Sequence, residues 1–96
     1  MAAYVIAEID IEDPETYERY RTQVPAVIER YGGRFLARGG AAELLEGEPA
    51  PKRLVIIEFP DRAALRRFYD SPEYQPLVGL RQSASKGRLV AVEGVA

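Results

Sequence analysis

The segment Arg53–Phe59, RLVIIEF, decides the fold. Its apolar run is nearly continuous and rich in β-branched residues, the pattern of a central strand with both faces buried. Before it, PAPKR (49–53) reads as a loop. After it, Asp61 is placed to cap a helical run, RAALRRFYD. Working outward, GRFLARGG (33–40) is a second strand ending in a glycine pair, and AELLEGE (42–48) either continues it past a bulge or forms a short extra strand. YVIAEIDI (4–11) is a strand, and EDPETYERYRTQVPAVIERYGG (12–33) a helix with Asp13 as N-cap, Pro14 in the first turn and Gly32 at the stop. Tyr17, Tyr20, Val24, Val27, Ile28 and Tyr31 fall on one stripe of that helix, which Pro25 should bend or split. The run ending at Asp70 gives way to a second helical start at Ser71 and Pro72. This start carries Tyr74 on its first turn and continues to about Ala84, made irregular by Pro76 and Gly79. GRLVAVEG (87–94) closes the chain as a strand.

The order β, α, β, β, α, β predicts an α+β, ferredoxin-like fold with a four-stranded antiparallel sheet and the helices on one face. No internal repeat or linker interrupts the chain, so residues 1–96 are expected to form a single domain.

Side chains alternate across a strand, so both faces of the sheet can be written down. Val5, Ala7 and Ile9 oppose Tyr4, Ile6 and Glu8; Val55, Ile57 and Phe59 oppose Leu54, Ile56 and Glu58; Phe35 and Ala37 oppose Leu36 and Arg38; Leu89 and Ala91 oppose Val90 and Val92. Neither face is polar. The helices cover only one, leaving Ile6, Leu36, Ile56 and Val90 or Val92 facing water in a lone subunit. A second copy laid sheet against sheet would cover them, which predicts a homodimer.

Thirteen Lys and Arg against fifteen Asp and Glu give a formal net charge of -2, with no basic block longer than two. Capture of nucleic acid or of an anionic membrane is unsupported. Cysteine is absent, which removes disulfides, thiolate catalysis and thiolate metal sites. Histidine is absent too, and with it the commonest general base, zinc ligand and proximal haem ligand. MAAYVIAEID reads as neither a signal peptide nor a membrane span, so a cytoplasmic location is expected. The glycine pair at Gly39 and Gly40 has no phosphate-loop spacing. No triad, paired-carboxylate or metal constellation stands out, so no metal and no cofactor are expected.

Four residues remain as candidates for ligand binding: Tyr20, Arg38, Glu58 and Tyr74. Arg38, beside two glycines, suits a bidentate clamp on a carboxylate or enolate, but an ion pair with Glu58 or Glu8 is the favoured reading, since a charge at a dimer interface must be paired. Glu58, embedded in an apolar strand, would have a raised pKa suited to acid or base work, or would serve as the structural partner of Arg38. Tyr74 and Tyr20 can donate to a developing oxyanion or stack on an aromatic ligand, although tyrosines at helical spacing are more often core. Tyr74, Glu58 and Arg38 are also the candidates for catalysis. Arg81 and Ser85, near the end of the last helix, either reach the mouth of a cleft between sheet and helices or belong to a solvated face.

The stretches GGRFLARGG, ELLEG, RLVIIEFP, SPEYQPL and the terminal VEG resemble the domain of unknown function 1330 family, within the dimeric α/β-barrel superfamily, over essentially the whole chain. The resemblance implies a ferredoxin-like subunit, a back-to-back dimer of sheets forming a dimeric α/β barrel, and a cleft in each subunit between sheet and helices. Relatives in that superfamily include cofactor-independent monooxygenases, haem-linked enzymes, lactone isomerases and stress-responsive proteins. Without histidine, the haem-linked and histidine-using branches are disfavoured. The expected function is binding of a small aromatic or carboxylate-bearing molecule in the cleft, with or without metal-free proton transfer or cofactor-independent oxidation. The other expectation is a non-catalytic dimer binding a metabolite or protein partner in a stress or regulatory setting.

Overall fold

The structure is a computed structural model that describes residues 1–95; Ala96, the last residue of the expected domain, lies outside the described residues. The elements run β1 (Ala3–Ile11), α1 (Pro14–Arg30), β2 (Arg34–Arg38), β3 (Arg53–Phe59), α2 (Arg62–Tyr69), α3 (Gln75–Ala84) and β4 (Ser85–Glu93). All pairings are antiparallel and the strand order is β2-β3-β1-β4. This is the ferredoxin-like arrangement expected from the sequence, with RLVIIEF as one of its two central strands.

The first two helices start where the sequence places a cap. The Asp13 carboxylate accepts from the Thr16 amide at 3.2 Å, and the Asp61 carboxylate from the Ala64 amide at 2.7 Å. Gly32, at φ 84°, supplies the left-handed turn after α1. Pro25 neither splits α1 nor ends it. Ser71 opens a turn rather than the helix itself: its hydroxyl accepts from the Tyr74 amide at 3.1 Å, and α3 begins only at Gln75, with Pro76 in the first turn. Pro76 therefore starts α3 instead of disturbing its middle, because its missing amide falls where none is needed.

The core lies between the sheet and the helices. Val5, Ala7, Ile9, Val55, Ile57 and Phe59 face Tyr20, Val24, Ile28, Leu65, Phe68 and Tyr74, all buried. Phe59, Phe68, Tyr74 and Ile28 are the largest fully enclosed side chains, each stabilising the fold by about 1.5–3 kcal/mol through the area withdrawn from water. Phe68 packs against Tyr74 and Phe59, with centroids 4.3 and 5.1 Å apart.

Two expectations are corrected. The dimeric α/β barrel is not what the fold forms: the sheet is open, with β2 and β4 as its free edges, and the molecule measures 32 × 31 × 17 Å, one helix layer on one sheet. Closure would need β2 and β4 to pair with each other, and they lie at opposite edges of the sheet. AELLEGE also forms no strand. Gly39 turns the chain at φ 70°, its amide donates the last rung to the Leu54 carbonyl at 2.8 Å, and residues 41–50 run exposed. Among the described residues, no helix is long and apolar enough to cross a membrane.

Candidate functional site

A bulge in β2 decides which side chains meet the helices. Phe35 pairs with Ile57 and Ala37 with Ile56, so Leu36 is the extra residue and the alternation reverses after it. Arg38, which strict alternation sets beside Leu36 on the open face, instead pairs with Val55 and points to the helix side with Phe35. There its guanidinium stacks 4.5 Å from the Phe35 centroid and donates to the Arg21 carbonyl at 2.5 Å. That carbonyl lies four residues before Pro25, which has no amide to offer it. The proline that should have broken the helix thus leaves an acceptor that Arg38 fills. Neither Glu58 nor Glu8 pairs with Arg38. Glu58 lies on the open face against Arg34 at 2.8 Å, and Glu8 approaches Arg88 at 3.6 Å.

On the helix side, Tyr20 of α1 meets Tyr74 at the start of α3. Their hydroxyls are 2.9 Å apart, and the Arg81 guanidinium donates to the Tyr74 hydroxyl at 2.8 Å. All three residues are buried. Burial pushes both phenols above the ordinary tyrosine value. For Tyr74 the neighbouring Tyr20 adds to the effect against the opposing Arg81 charge; for Tyr20 the hydrogen bond from Tyr74 and the Arg81 charge only partly offset it. Both are therefore neutral hydrogen-bond donors at neutral pH rather than bases. Ser85 is also buried and donates to the Arg81 carbonyl at 2.7 Å, tying the end of α3 in place.

These groups line a narrow cavity between sheet and helices, with about 30 Å³ open to the centres of water molecules, room for one or two. Its walls are apolar, from Val5, Ala7, Val55 and Ile57. Its charged lining is Arg21, Arg38, Arg53 and Arg81, with no Asp or Glu among the described residues that border it. A wider depression of about 390 Å³ adjoins it and shares Ile9, Arg81 and Leu89. A larger groove of about 690 Å³ lies away from the tyrosines, beside the loop around Pro49. We take the narrow cavity as the candidate site because the polar groups converge there.

Of the four sequence candidates, Tyr20, Tyr74 and Arg38 border this cavity and Glu58 does not. Arg53 was not singled out from the sequence. The glycine that follows Arg38 was the available signal: a Cβ on Gly39 would overlap the Arg53 guanidinium, so the glycine exists where a side chain must pass close to backbone. Among the described residues, no group of three or more His, Cys, Asp or Glu is arranged to hold a metal ion.

Solved structures with this fold include the RPA0582 protein of unknown function from Rhodopseudomonas palustris, with a TM-score of 0.80 at 23% identity over 99% of this chain and 83% of that one. SnoaB, a cofactor-independent oxygenase from Streptomyces nogalater, has a TM-score of 0.68 at 14% identity, covering 99% and 94%. A dimeric ferredoxin-like protein of unknown function from Jannaschia sp. CCS1 has a TM-score of 0.67 at 16% identity, covering 98% and 100%. At these identities the likeness shows the fold. No curated protein matches the chain. The family model described as domain of unknown function (DUF1330) matches residues 2–95, and the chain belongs to that family.

Proposed function

We propose that the protein binds a small organic molecule in the cavity between sheet and helices, with Tyr20, Tyr74 and Arg38 among the contacting residues. One observation carries this reading. Arg81 can only donate, and the two phenols bring one hydrogen each but only two acceptor oxygens between them. With Arg81 donating to Tyr74 and the phenols bonded to each other, one phenolic hydrogen is left without a protein acceptor. Buried donors are rarely left so, and an oxygen of a ligand would take it. Where Tyr74 donates to Tyr20, the Tyr20 hydroxyl is the donor offered; in the opposite order it is the Tyr74 hydroxyl. The cavity is smaller than an aromatic molecule, so a ligand enters by displacing the half-exposed Arg21 side chain at its border.

Binding without turnover is the first reading, because both phenols are held neutral and Glu58 lies on the other side of the sheet. In the second, the same donors stabilise a substrate oxyanion, and dioxygen takes its electrons and adds to it without a cofactor; SnoaB is described as a cofactor-independent oxygenase. The open face of the sheet is proposed to pair with a second copy: Leu36, Val90 and Val92 are 49, 45 and 45% exposed, and Ile6 and Ile56 lie between them. The Jannaschia protein of the same fold is described as dimeric. Titration with phenolic and carbonyl compounds, followed by thermal shift, tests the cavity. Tyr20→Phe should weaken a binder by about tenfold, the loss of one hydrogen bond to a buried oxygen. Equal affinity in wild type and variant would remove Tyr20 from the site.

A further inference from the structure

We infer that the arginines at the border of the cavity form a carboxylate subsite, centred on Arg38 and Arg53, and that the ligand is an organic acid with an apolar or aromatic body. The inference rests on the cavity being the ligand site. In a chain of net charge -2, four guanidiniums border one apolar cavity and, among the described residues, no carboxylate does. Arg21 has its own partner, Glu18, at 2.5 Å. Arg81 is committed to Tyr74. Among the described residues, Arg38 donates only to a neutral carbonyl, and the Arg53 Nε is buried with no hydrogen-bond partner. Like charges gathered in this way raise each other's energy: loss of water, then Arg21 and Arg53, push Arg38 below the ordinary arginine value, with Tyr17 and the Glu18 carboxylate only partly offsetting them. An entering anion relieves that repulsion and occupies the unpaired Nε.

The guanidiniums are also held in place before any ligand arrives. The Pro25 gap fixes Arg38 through the Arg21 carbonyl, and the missing side chain of Gly39 makes room for Arg53, whose charge lies 5.7 Å from the Tyr17 ring centroid. A planar guanidinium matches a planar carboxylate with two parallel hydrogen bonds. The apolar walls then take the body of the acid while its far end reaches the Tyr20 hydroxyl.

The test is an amide and arginine Nε NMR titration of the full chain with benzoate, with benzamide and with inorganic phosphate. Benzoate should shift the Arg53 Nε and Gly39 signals and those of Ala7 and Ile57, at least tenfold more tightly than benzamide, and Arg53→Gln should weaken it by tenfold or more. Arg53→Lys, which keeps the charge but not the fork, should recover only part of that loss, with circular dichroism showing both variants folded. Benzamide binding as well as benzoate would overturn the carboxylate subsite and leave the cavity reading standing. Phosphate binding the same arginines as tightly as benzoate would overturn the organic-acid class, and unchanged benzoate affinity in Arg53→Gln would overturn the assignment of Arg53. No shift in the cavity with any of the three would overturn both readings.

Discussion

Tyr74 shows how one side chain can hold a core and a site at once. Its ring stacks on Phe68, while its hydroxyl accepts from Arg81 and meets Tyr20. Tyr74→Phe keeps the ring and leaves Arg81, 6% exposed, without its acceptor. The expected loss is about 1–3 kcal/mol in urea unfolding, because a charged donor is stranded away from water. A loss indistinguishable from zero would mean that Arg81 finds water instead. The same burial sets a pH dependence. Tyr74 and Tyr20 are raised above 10.0, so the folded chain keeps protons that the unfolded chain releases. Their stabilising contribution is complete below about pH 10 and is lost as pH rises through the folded values. Urea midpoints should fall between about pH 8 and about pH 11, and fall less in the Tyr20→Phe, Tyr74→Phe double variant; equal falls would assign the dependence to other groups.

At the scale of elements, the strand that turns the most residues to new purposes is the short β2, through its bulge at Leu36 and its glycine end. Gly39→Ala imposes a side chain at φ 70° and against the Arg53 guanidinium. It should cost about 1–3 kcal/mol and also disturb benzoate binding. Pro25→Ala should do the opposite to stability, raising the melting temperature by restoring the helix amide, while weakening benzoate because Arg38 must share the Arg21 carbonyl. Higher stability with unchanged binding would separate Pro25 from the site. These details explain what the sequence could and could not reveal. Caps at Asp13 and Asp61, the stripe through Tyr20, Val24 and Ile28, and the inward rows of β1 and β3 follow local periodicity, and they were legible. The facing of Arg38 was not, because a bulge adds one residue without a local signature and reverses every side chain beyond it. Neither was the pairing of Tyr20 with Tyr74, a contact across 54 residues. Arg53 was read as the edge of a loop, since its partial burial depends on the glycine that follows the neighbouring strand.

For the whole molecule, the two faces of one sheet are given different work: the helix side encloses the cavity, and the open side carries the uncovered apolar residues. Val90, 45% exposed, tests the second without touching the first. Wild type should sediment at twice the chain mass at micromolar concentration, and Val90→Asp at the single mass with its benzoate affinity kept. A wild type already at the single mass would remove the proposed pairing. The enclosed side is tested most directly by a crystal structure of the protein grown with benzoate. The account predicts the ring between the sheet and Tyr20, with the carboxylate within hydrogen-bonding distance of Arg38 and Arg53. A cavity still closed on its own side chains, with benzoate only on the outer surface, would contradict it.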